Sequence, residues 1–290
     1  MSWQVYRLIF QIKSPLHIGW RKVSNLMQTR YYIPGRMFWG ALTQSLTHWM
    51  GETDYRKTGL LVQENLCFSY FFPAEDPDLP LYPMHKPKGS YYGNYSSIDF
   101  EKKFISITAS TAIANENNAA EEGSLHEIEY LKPSLNLGEP VFLVGHLFVQ
   151  KKEEIMTEDN DVKIGDFSLF HQIIASLRIG GERRSGFGCL ELCIKNCQPV
   201  GDIFGYTFIE ENQQCIVTVQ KDSPLLAHAL INGLSLKGTI EPLVSREWSN
   251  KGGPGRQLSL LGLCYIPGTL VNEKMSFILK EYGIWQKYNK

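Results

Sequence analysis

Strand-like and helix-like segments follow one another in a fixed order through the first two thirds of this chain. Apolar residues alternate over residues 5–12, which predicts a strand, and recur at helical spacing after Pro34, which predicts a helix starting near that proline. The apolar residues at helical spacing are Phe38, Leu42, Leu46 and Trp49 in the first helix, and Phe167, Phe170, Ile174 and Leu177 in a second helix with Asp166 as its N-cap. The other strand-like segments are residues 104–108, 126–131, 141–150 and 187–194.

The resulting order over residues 5–195 is strand, helix, strand, strand, helix, strand. Split βαβ or ferredoxin-like domains have this order, and RNA-recognition modules use the same fold. We therefore expect an α+β protein with a ferredoxin-like (RRM-like) βαββαβ domain, whose antiparallel sheet carries both helices on one face. The prolines between about residue 51 and residue 103 predict a long irregular insertion. Tyr91, Tyr92 and Tyr95 of this insertion would either stack on unpaired bases or pack against the protein.

Two motifs from the start of the chain return in its last hundred residues. Ser14-Pro15-Leu16 is repeated as Ser223-Pro224-Leu225, and Tyr32-Ile-Pro-Gly35 is repeated as Tyr265-Ile-Pro-Gly268. Two matches in the same order favour a duplication. We expect a first domain at residues 1–195 and a degenerate second ferredoxin-like module at residues 196–290.

The overall charge of the chain does not indicate a nucleic-acid partner. The formal net charge is -1, so any RNA-binding surface must be a local basic patch. The sequence has no run of 18 apolar residues and no signal-peptide pattern, and we expect a cytoplasmic protein without a membrane partner. Cys189, Cys193 and Cys197 lack the paired spacing of zinc ribbons, so we expect no metal, no cofactor and no disulfide.

A glycine- and arginine-rich stretch between two apolar segments is the strongest candidate for a binding site. Glycines allow positive φ angles and close approach, and arginines add charge to the concave anion sites that such loops form. The candidate RNA-binding residues of this stretch are Arg178, Gly180, Gly181, Arg183, Arg184, Ser185, Gly186 and Gly188. The alternative is an ordinary surface loop with solvated charges.

A second basic surface is predicted where the first helix begins. A helix N-terminus flanked by arginines attracts phosphate. The candidate residues are His17, Gly19, Trp20, Arg21, Lys22, Arg30, Tyr31 and Arg36. The alternative for the tyrosines is a place in the core. A further glycine-rich basic loop is predicted at residues 245–256, with Lys251 and Arg256 as candidate RNA contacts.

These motifs together resemble the RAMP superfamily of CRISPR effector subunits. The resemblance rests on Ser14-Pro-Leu-His-Ile-Gly19 after a strand, on Tyr32-Ile-Pro-Gly35 before a helix, and on Gly180-Gly-Glu-Arg-Arg-Ser-Gly-Phe-Gly188 before a strand. It covers most of residues 1–195, and residues 214–290 more weakly. Membership would imply ferredoxin-like folds that bind guide RNA.

Three roles within this superfamily compete. Guide-processing endoribonucleases of the Cas-six type often use a histidine near the N-terminus, which would be His17, but their glycine-rich loop lies near the C-terminus. Cas-seven-type backbone subunits often cut target RNA with an aspartate in the loop before the Tyr-Ile-Pro-Gly motif. Here residues 20–30 contain no Asp or Glu, so such cleavage would lack a group to bind metal or accept a proton.

The resemblance is greatest to Cas-five-type subunits of type III complexes, similar to the Csx-ten group of subtype III-D. It implies a non-catalytic RNA-binding subunit that caps the guide RNA (crRNA) and binds its 5′ repeat-derived handle in antiviral defence. The implied partners are the guide RNA, the large polymerase-like signalling subunit, adjacent RAMP backbone subunits and, indirectly, target RNA. A guide-processing endoribonuclease and a non-cutting backbone subunit remain the alternatives.

Overall fold

The computed structural model describes residues 2–113, 119–151, 172–193, 198–249 and 253–288. Up to residue 193 the elements are β1 Ser2–Ile12, β2 Gly19–Val23, β3 Leu26–Thr29, α1 Gly35–Trp49, α2 Tyr55–Asn65, β4 Leu66–Phe68, β5 Phe72–Ala74, β6 Pro83–Lys86, β7 Gly89–Tyr92, β8 Tyr95–Ser96, α3 Ser97–Phe104, β9 Ile105–Ser110, β10 His126–Leu131, β11 Phe142–Lys151, β12 Ser176–Arg178 and β13 Cys189–Leu192. They are followed by β14 Gln198–Pro199, β15 Asp202–Ile203, β16 Tyr206–Glu211, β17 Gln214–Val219, β18 Ala229–Leu230, β19 Ile240–Ser249, β20 Gly253–Tyr265, β21 Met275–Leu279 and β22 Trp285–Lys287. The fold mixes helices and strands, and strands dominate.

The central sheet has the order β12-β13-β1-β11-β4, and its pairs are antiparallel; β5 also pairs with β11, and β14 with β1. Apolar residues occupy both faces of β1. Leu8 and Phe10 pack with the buried side of α1, whereas Val5 belongs to a second core that includes Phe277 of the second half. The central sheet is therefore covered by helix on one face and by the second half on the other.

The predicted strands and first helix at residues 5–12, 126–131, 141–150 and after Pro34 are confirmed by β1, β10, β11 and α1. Phe38, Leu42 and Leu46 are buried as predicted, but Trp49 is 46% exposed because it lies at the end of α1. Leu177 belongs to strand β12 rather than to a helix. Residues 172–174 are helical, and Asp166, Phe167 and Phe170 lie outside the described residues.

The prediction of an irregular insertion at about residues 51–103 was wrong. Asp54 caps α2 by accepting hydrogen bonds from the amides of Arg56 and Lys57. The next apolar residues form β4 and β5, which are strands of the central sheet. Pro73 is tolerated there because β5 pairs with β11 alone and does not need a second row of hydrogen bonds.

The strands at residues 105–110 and 126–131 belong to a separate sheet. β9 and β10 join β2 and β3 in the order β2-β3-β10-β9. Part of the segment predicted as a loop before the first helix is thus a β-hairpin, β2–β3. The strand of the central sheet that follows α1 is β4, and it lies inside the predicted insertion. The many prolines there led to a prediction of irregular structure.

The second half consists largely of an eight-stranded sheet in the order β15-β16-β17-β21-β22-β18-β20-β19. In both halves a β-hairpin lies between Ser-Pro-Leu and Tyr-Ile-Pro-Gly, namely β2–β3 and β19–β20. The first Tyr-Ile-Pro-Gly leads into α1, whereas the second leads through a turn to β21. The prediction of a glycine-rich loop at residues 245–256 was wrong, because most of those residues belong to the paired strands β19 and β20.

The two Tyr-Ile-Pro-Gly motifs lie at contacts between the halves. A Cβ atom on Gly35 would lie 2.7 Å from the carbonyl oxygen of Tyr282, and one on Gly268 would lie 2.7 Å from the ring of His85. Nε2 of His85 also donates a hydrogen bond to the carbonyl oxygen of Pro267 at 3.0 Å. The other half therefore approaches the glycine of each motif too closely for a larger residue. Among the described residues no helix is both long enough and apolar enough to cross a membrane.

Candidate nucleic-acid interface

The glycine-rich loop connects β12 to β13 and is bound to the segment that follows β1. The amide of Gly181 donates to the carbonyl oxygen of His17 at 2.9 Å, and the amide of Gly188 donates to that of Pro15 at 2.8 Å. The amide of Ile179 closes the loop by donating to the carbonyl oxygen of Gly188 at 2.9 Å. These backbone bonds fix the loop at one edge of the central sheet.

Two of its glycines are required by close approach to the chain's own backbone. Gly180 has φ of 83°, and a Cβ atom there would lie 2.3 Å from the carbonyl oxygen of His17. Gly188 has φ of 79°, and a Cβ atom there would lie 1.9 Å from the carbonyl oxygen of Ile179. Gly186 also has a positive φ, of 89°, but faces open space. Of these three glycines, only Gly186 faces open space that a ligand could enter.

Gly188→Ala is expected to destabilise the protein much more than Gly186→Ala. Both substitutions place a side chain at positive φ, which costs about 1 kcal/mol. Only the Gly188 variant also drives a Cβ atom into a backbone oxygen, so we expect a further loss of several kcal/mol through forced backbone movement. Urea denaturation of both variants checks this. Equal losses of stability would contradict the packing assigned to Gly188.

The tip of the loop combines positive charge with unbonded amides. Arg178, Arg184 and Ser185 are exposed, and Arg183 reaches back to α1, where its Nη1 donates to Oε1 of Gln44 at 2.7 Å. Residues Arg183–Ser185 form one turn of 3₁₀ helix after Glu182, whose φ is 53°. The amides of Glu182, Arg183 and Arg184 donate to no acceptor within the described residues. Consecutive amides of this kind can bind an anion.

The predicted second basic surface is only partly open. Trp20, Arg21 and Lys22 lie on β2, whose five residues are all exposed. The guanidinium of Arg21 lies 4.1 Å from the centre of the Trp20 ring, and its Nε donates to Oε1 of Gln28 at 2.8 Å. This pairing of a cation with an aromatic face holds both side chains on the surface.

Arg30 is withdrawn from that surface into a buried polar cluster. Its Nη1 donates to Oε1 of Glu241 at 2.7 Å and to the hydroxyl of Tyr32 at 2.7 Å. Nε2 of His228 lies 2.7 Å from the same carboxylate oxygen, and the Nδ1 of His228 lies 2.7 Å from the hydroxyl of Tyr70. Trp20 Nε1 donates to the other oxygen of Glu241 at 3.1 Å. Glu241 thus neutralises the positive charge of Arg30, which was expected to bind phosphate.

This environment changes the pKa of both acid and histidine. Burial by itself raises the pKa of a carboxyl group, but the hydrogen bond from His228 and the charge of Arg30 outweigh it and lower the pKa of Glu241 to about 2. Burial lowers the pKa of His228, and the hydrogen bond to Glu241 only partly opposes this effect. We therefore treat Glu241 as charged and His228 as neutral near pH 7.

The N-terminus of α1 is covered, which contradicts the predicted phosphate site there. A Cβ atom on Gly35 would lie 2.1 Å from the carbonyl oxygen of Phe68, so no ligand can reach this turn from that side. The guanidinium of Arg36 lies 4.3 Å from the centre of the Tyr282 ring. Tyr31 packs against Tyr92 and Phe100, at ring distances of 5.5 Å and 5.4 Å. The alternative of a core role is therefore the one observed for Tyr31.

A model of the RAMP superfamily matches residues 9–191. This match covers more than half of the chain and includes the glycine-rich loop. The chain belongs to the RAMP superfamily. The resemblance inferred from its motifs is thereby confirmed.

Solved structures with the same fold come from type III-B complexes. A chain of the Cmr-beta complex bound to cognate target RNA and AMPPnP, state 1, matches with a TM-score of 0.54 at 13% identity, covering 91% of this chain and 85% of that chain. A chain of Cmr-beta bound to cognate target RNA matches with the same TM-score and identity, covering 91% and 86%. At this identity the likeness establishes the fold alone. No curated protein matches this sequence.

Sequence reasoning about this RAMP protein missed Glu241 and His228. Neither residue belongs to a local sequence motif, and Glu241 lies 211 positions from Arg30. No local pattern therefore predicts the polar cluster of Arg30, Glu241 and His228. Arg256 is exposed on β20, and Lys251 lies outside the described residues. Gly19 and His17 lie beside the glycine-rich loop, which leaves Arg178 to Gly188, His17 and the β2 surface as the candidate interface.

Proposed function

We propose that this RAMP protein is a non-catalytic guide-RNA-binding subunit of a type III CRISPR effector complex, which caps the guide and holds its 5′ repeat-derived handle. The observation that carries the proposal is the tip of the glycine-rich loop. There the unbonded amides of Glu182, Arg183 and Arg184 adjoin exposed guanidinium groups. Amides and arginines together suit phosphate oxygens, which accept hydrogen bonds and carry charge.

The strand order supports a ferredoxin-like first domain. In that fold the strands of a βαββαβ unit take the order fourth, first, third, second. β13, β1, β11 and β4 follow this order, and α1 lies between β1 and β4 in the chain. The same proposal divides the chain into residues 1–195 and a degenerate second module at residues 196–290, in which a turn replaces the first helix. The shared hairpin position between the repeated motifs supports the duplication.

The β2–β3 hairpin supports a subunit that does not cut RNA. Residues 20–30 contain no carboxylate. Within the described part of the chain, the carboxylates of Glu241 and Glu129 accept hydrogen bonds from these residues, and both are already bound by the protein. Glu241 is bound by Arg30, His228 and Trp20. Glu129 is buried and accepts from the amide of Thr29 at 2.8 Å. Neither is placed to hold a metal ion or to accept a proton from RNA.

Protein partners would bind elsewhere on the surface. The β19–β20 hairpin forms one edge of the eight-stranded sheet and exposes Val244, Leu258 and Leu260 by 53%, 62% and 66%. Clustered exposed apolar residues favour a protein neighbour. In a cytoplasmic type III complex these neighbours would be the large polymerase-like signalling subunit and the adjacent backbone subunits, with target RNA contacted indirectly.

Ultraviolet crosslinking of the assembled complex tests this function. The chain is produced with its neighbouring subunits and a repeat–spacer transcript, and the crosslinked peptides and nucleotides are identified. We expect residues 178–188 to crosslink to the 5′ end of the guide RNA. Crosslinks confined to other guide positions would favour a backbone subunit. Metal-independent cleavage of repeat RNA that His17→Ala abolishes would instead identify a processing endoribonuclease.

A further inference from the structure

The Nε2 atom of His17 lies beside the glycine-rich loop and makes no hydrogen bond within the described residues. The residue is 6% exposed, and its Nδ1 lies 2.7 Å from the backbone carbonyl oxygen of Glu129. A carbonyl oxygen can only accept, so Nδ1 carries the hydrogen and donates it. In the neutral imidazole Nε2 is therefore an acceptor, and it has no hydrogen-bond partner within the described residues.

Two glycines leave the approach to Nε2 open. A Cβ atom on Gly19 would lie 3.6 Å from Nε2, and a Cβ atom on Gly181 would lie 3.0 Å from Cδ2 and 3.9 Å from Nε2. Gly181 immediately precedes the unbonded amides of Glu182, Arg183 and Arg184. The acceptor is thus adjacent to the amides that are proposed to bind phosphate.

An acceptor at this position selects a ligand atom that carries a hydrogen. Backbone phosphate oxygens of RNA carry none, whereas the ribose 2′-hydroxyl on the same strand does. We propose that Nε2 of His17 accepts a hydrogen bond from a ribose 2′-hydroxyl of the bound strand, so that the glycine-rich loop distinguishes RNA from DNA. This inference rests on the proposed function and adds the group that determines its sugar specificity.

The test compares two single strands of the same sequence, each about 12 nucleotides long, which is within the site sizes of single-strand-binding folds. One strand is RNA, and the other carries 2′-fluorine at every position, which removes the donor and preserves an RNA-like sugar. Fluorescence anisotropy with the full chain is expected to show about two- to tenfold tighter binding of the RNA strand, the range of one hydrogen bond.

Gly19→Ala is expected to abolish this preference without loss of the fold. Its Cβ atom makes an ordinary contact with His17 and occupies the approach to Nε2, so the ratio of the two affinities should fall to about one. His17→Phe, which keeps a ring and removes the acceptor, should behave alike. Gly201→Ala is the matched control, because its Cβ atom meets nothing within 4 Å, and it should retain the wild-type ratio.

Equal affinities of the wild-type protein for the two strands would overturn the role of His17 and leave it a structural residue. A wild-type ratio in both Gly19→Ala and His17→Phe would do the same. The proposed function fails separately, if changing Arg183 and Arg184 leaves the affinity for both strands unchanged. The sugar ratio and the absolute affinity therefore report on the two proposals independently.

Discussion

Replacing Arg183 and Arg184 together by alanine is expected to weaken binding of single-stranded RNA about a hundredfold. Each side chain would lose a charge-assisted hydrogen bond to phosphate, which contributes about 1.5 kcal/mol at the low end of its range. Because each phosphate contact on a single strand releases counterions, the dependence of log K on log salt should become shallower by about 1.4. Anisotropy titrations over a series of salt concentrations measure both quantities.

The control for this variant removes two positive charges at a distance from the loop. Lys237 and Lys274 are exposed in the second half, and their double replacement by alanine changes the net charge equally. We expect this control to lower affinity only slightly, and to leave most of the salt dependence intact. A wild-type affinity and salt slope in the arginine variant would exclude the loop as a phosphate site. Equal losses in the two variants would show that the effect is unspecific.

Replacing Glu241 by glutamine is expected to lower the free energy of unfolding by about 3 kcal/mol. Glutamine has nearly the same size, so packing is retained, but the mostly buried guanidinium of Arg30 loses its counterion and His228 loses its charged partner. Chemical denaturation measures the loss. Glu273→Gln, at an exposed carboxylate, is the matched control and should change stability by less than about 0.5 kcal/mol. Equal stability of the two variants would contradict the structural role of the cluster.

The pH dependence of this variant is an independent check. Glu241 binds its proton at about pH 2 in the folded protein, below the ordinary carboxyl pKa of 4.5. Its stabilising contribution, about 3 kcal/mol, is therefore complete above pH 4.5 and is lost as the pH falls towards 2. The difference in stability between wild type and Glu241→Gln should shrink over this interval. Burial also lowers the pKa of His228 below its ordinary value of 6.5. The unfolded chain therefore binds a proton at this histidine more readily than the folded protein does, and the free energy of unfolding decreases further as the pH falls below 6.5.

Local patterns predicted the elements whose residues act independently of distant parts of the chain. β1 and α1 follow from apolar spacing, because most apolar residues on one side of each element are buried. The prediction failed between residues 51 and 103, where prolines suggested irregular structure but edge-strand pairing accommodates Pro73 in β5. It also failed at Leu177, since a single apolar residue continues a helical spacing and equally suits the short strand β12.

The candidate site divides in the same way. The glycines and arginines of residues 178–188 were identified from sequence because a tight loop needs these residue types within a short stretch. The contacts that Arg30 and Arg36 make were not predicted, because a sequence shows a charged residue but not the group that it pairs with. Arg30 pairs with a carboxylate 211 positions away, and Arg36 lies over the ring of Tyr282 in the second half.

The sequence by itself determined the family, the first strand and helix, and the position of the glycine-rich loop, because these depend on local spacing and on residue types within short motifs. Only the tertiary structure decided which basic residues remain available to RNA. Packing of the second half onto the first neutralises Arg30 through Glu241 and covers the start of α1, and it leaves Arg178 and Arg184 exposed. The availability of a charge depends on its three-dimensional neighbours, and those neighbours come from distant parts of the chain.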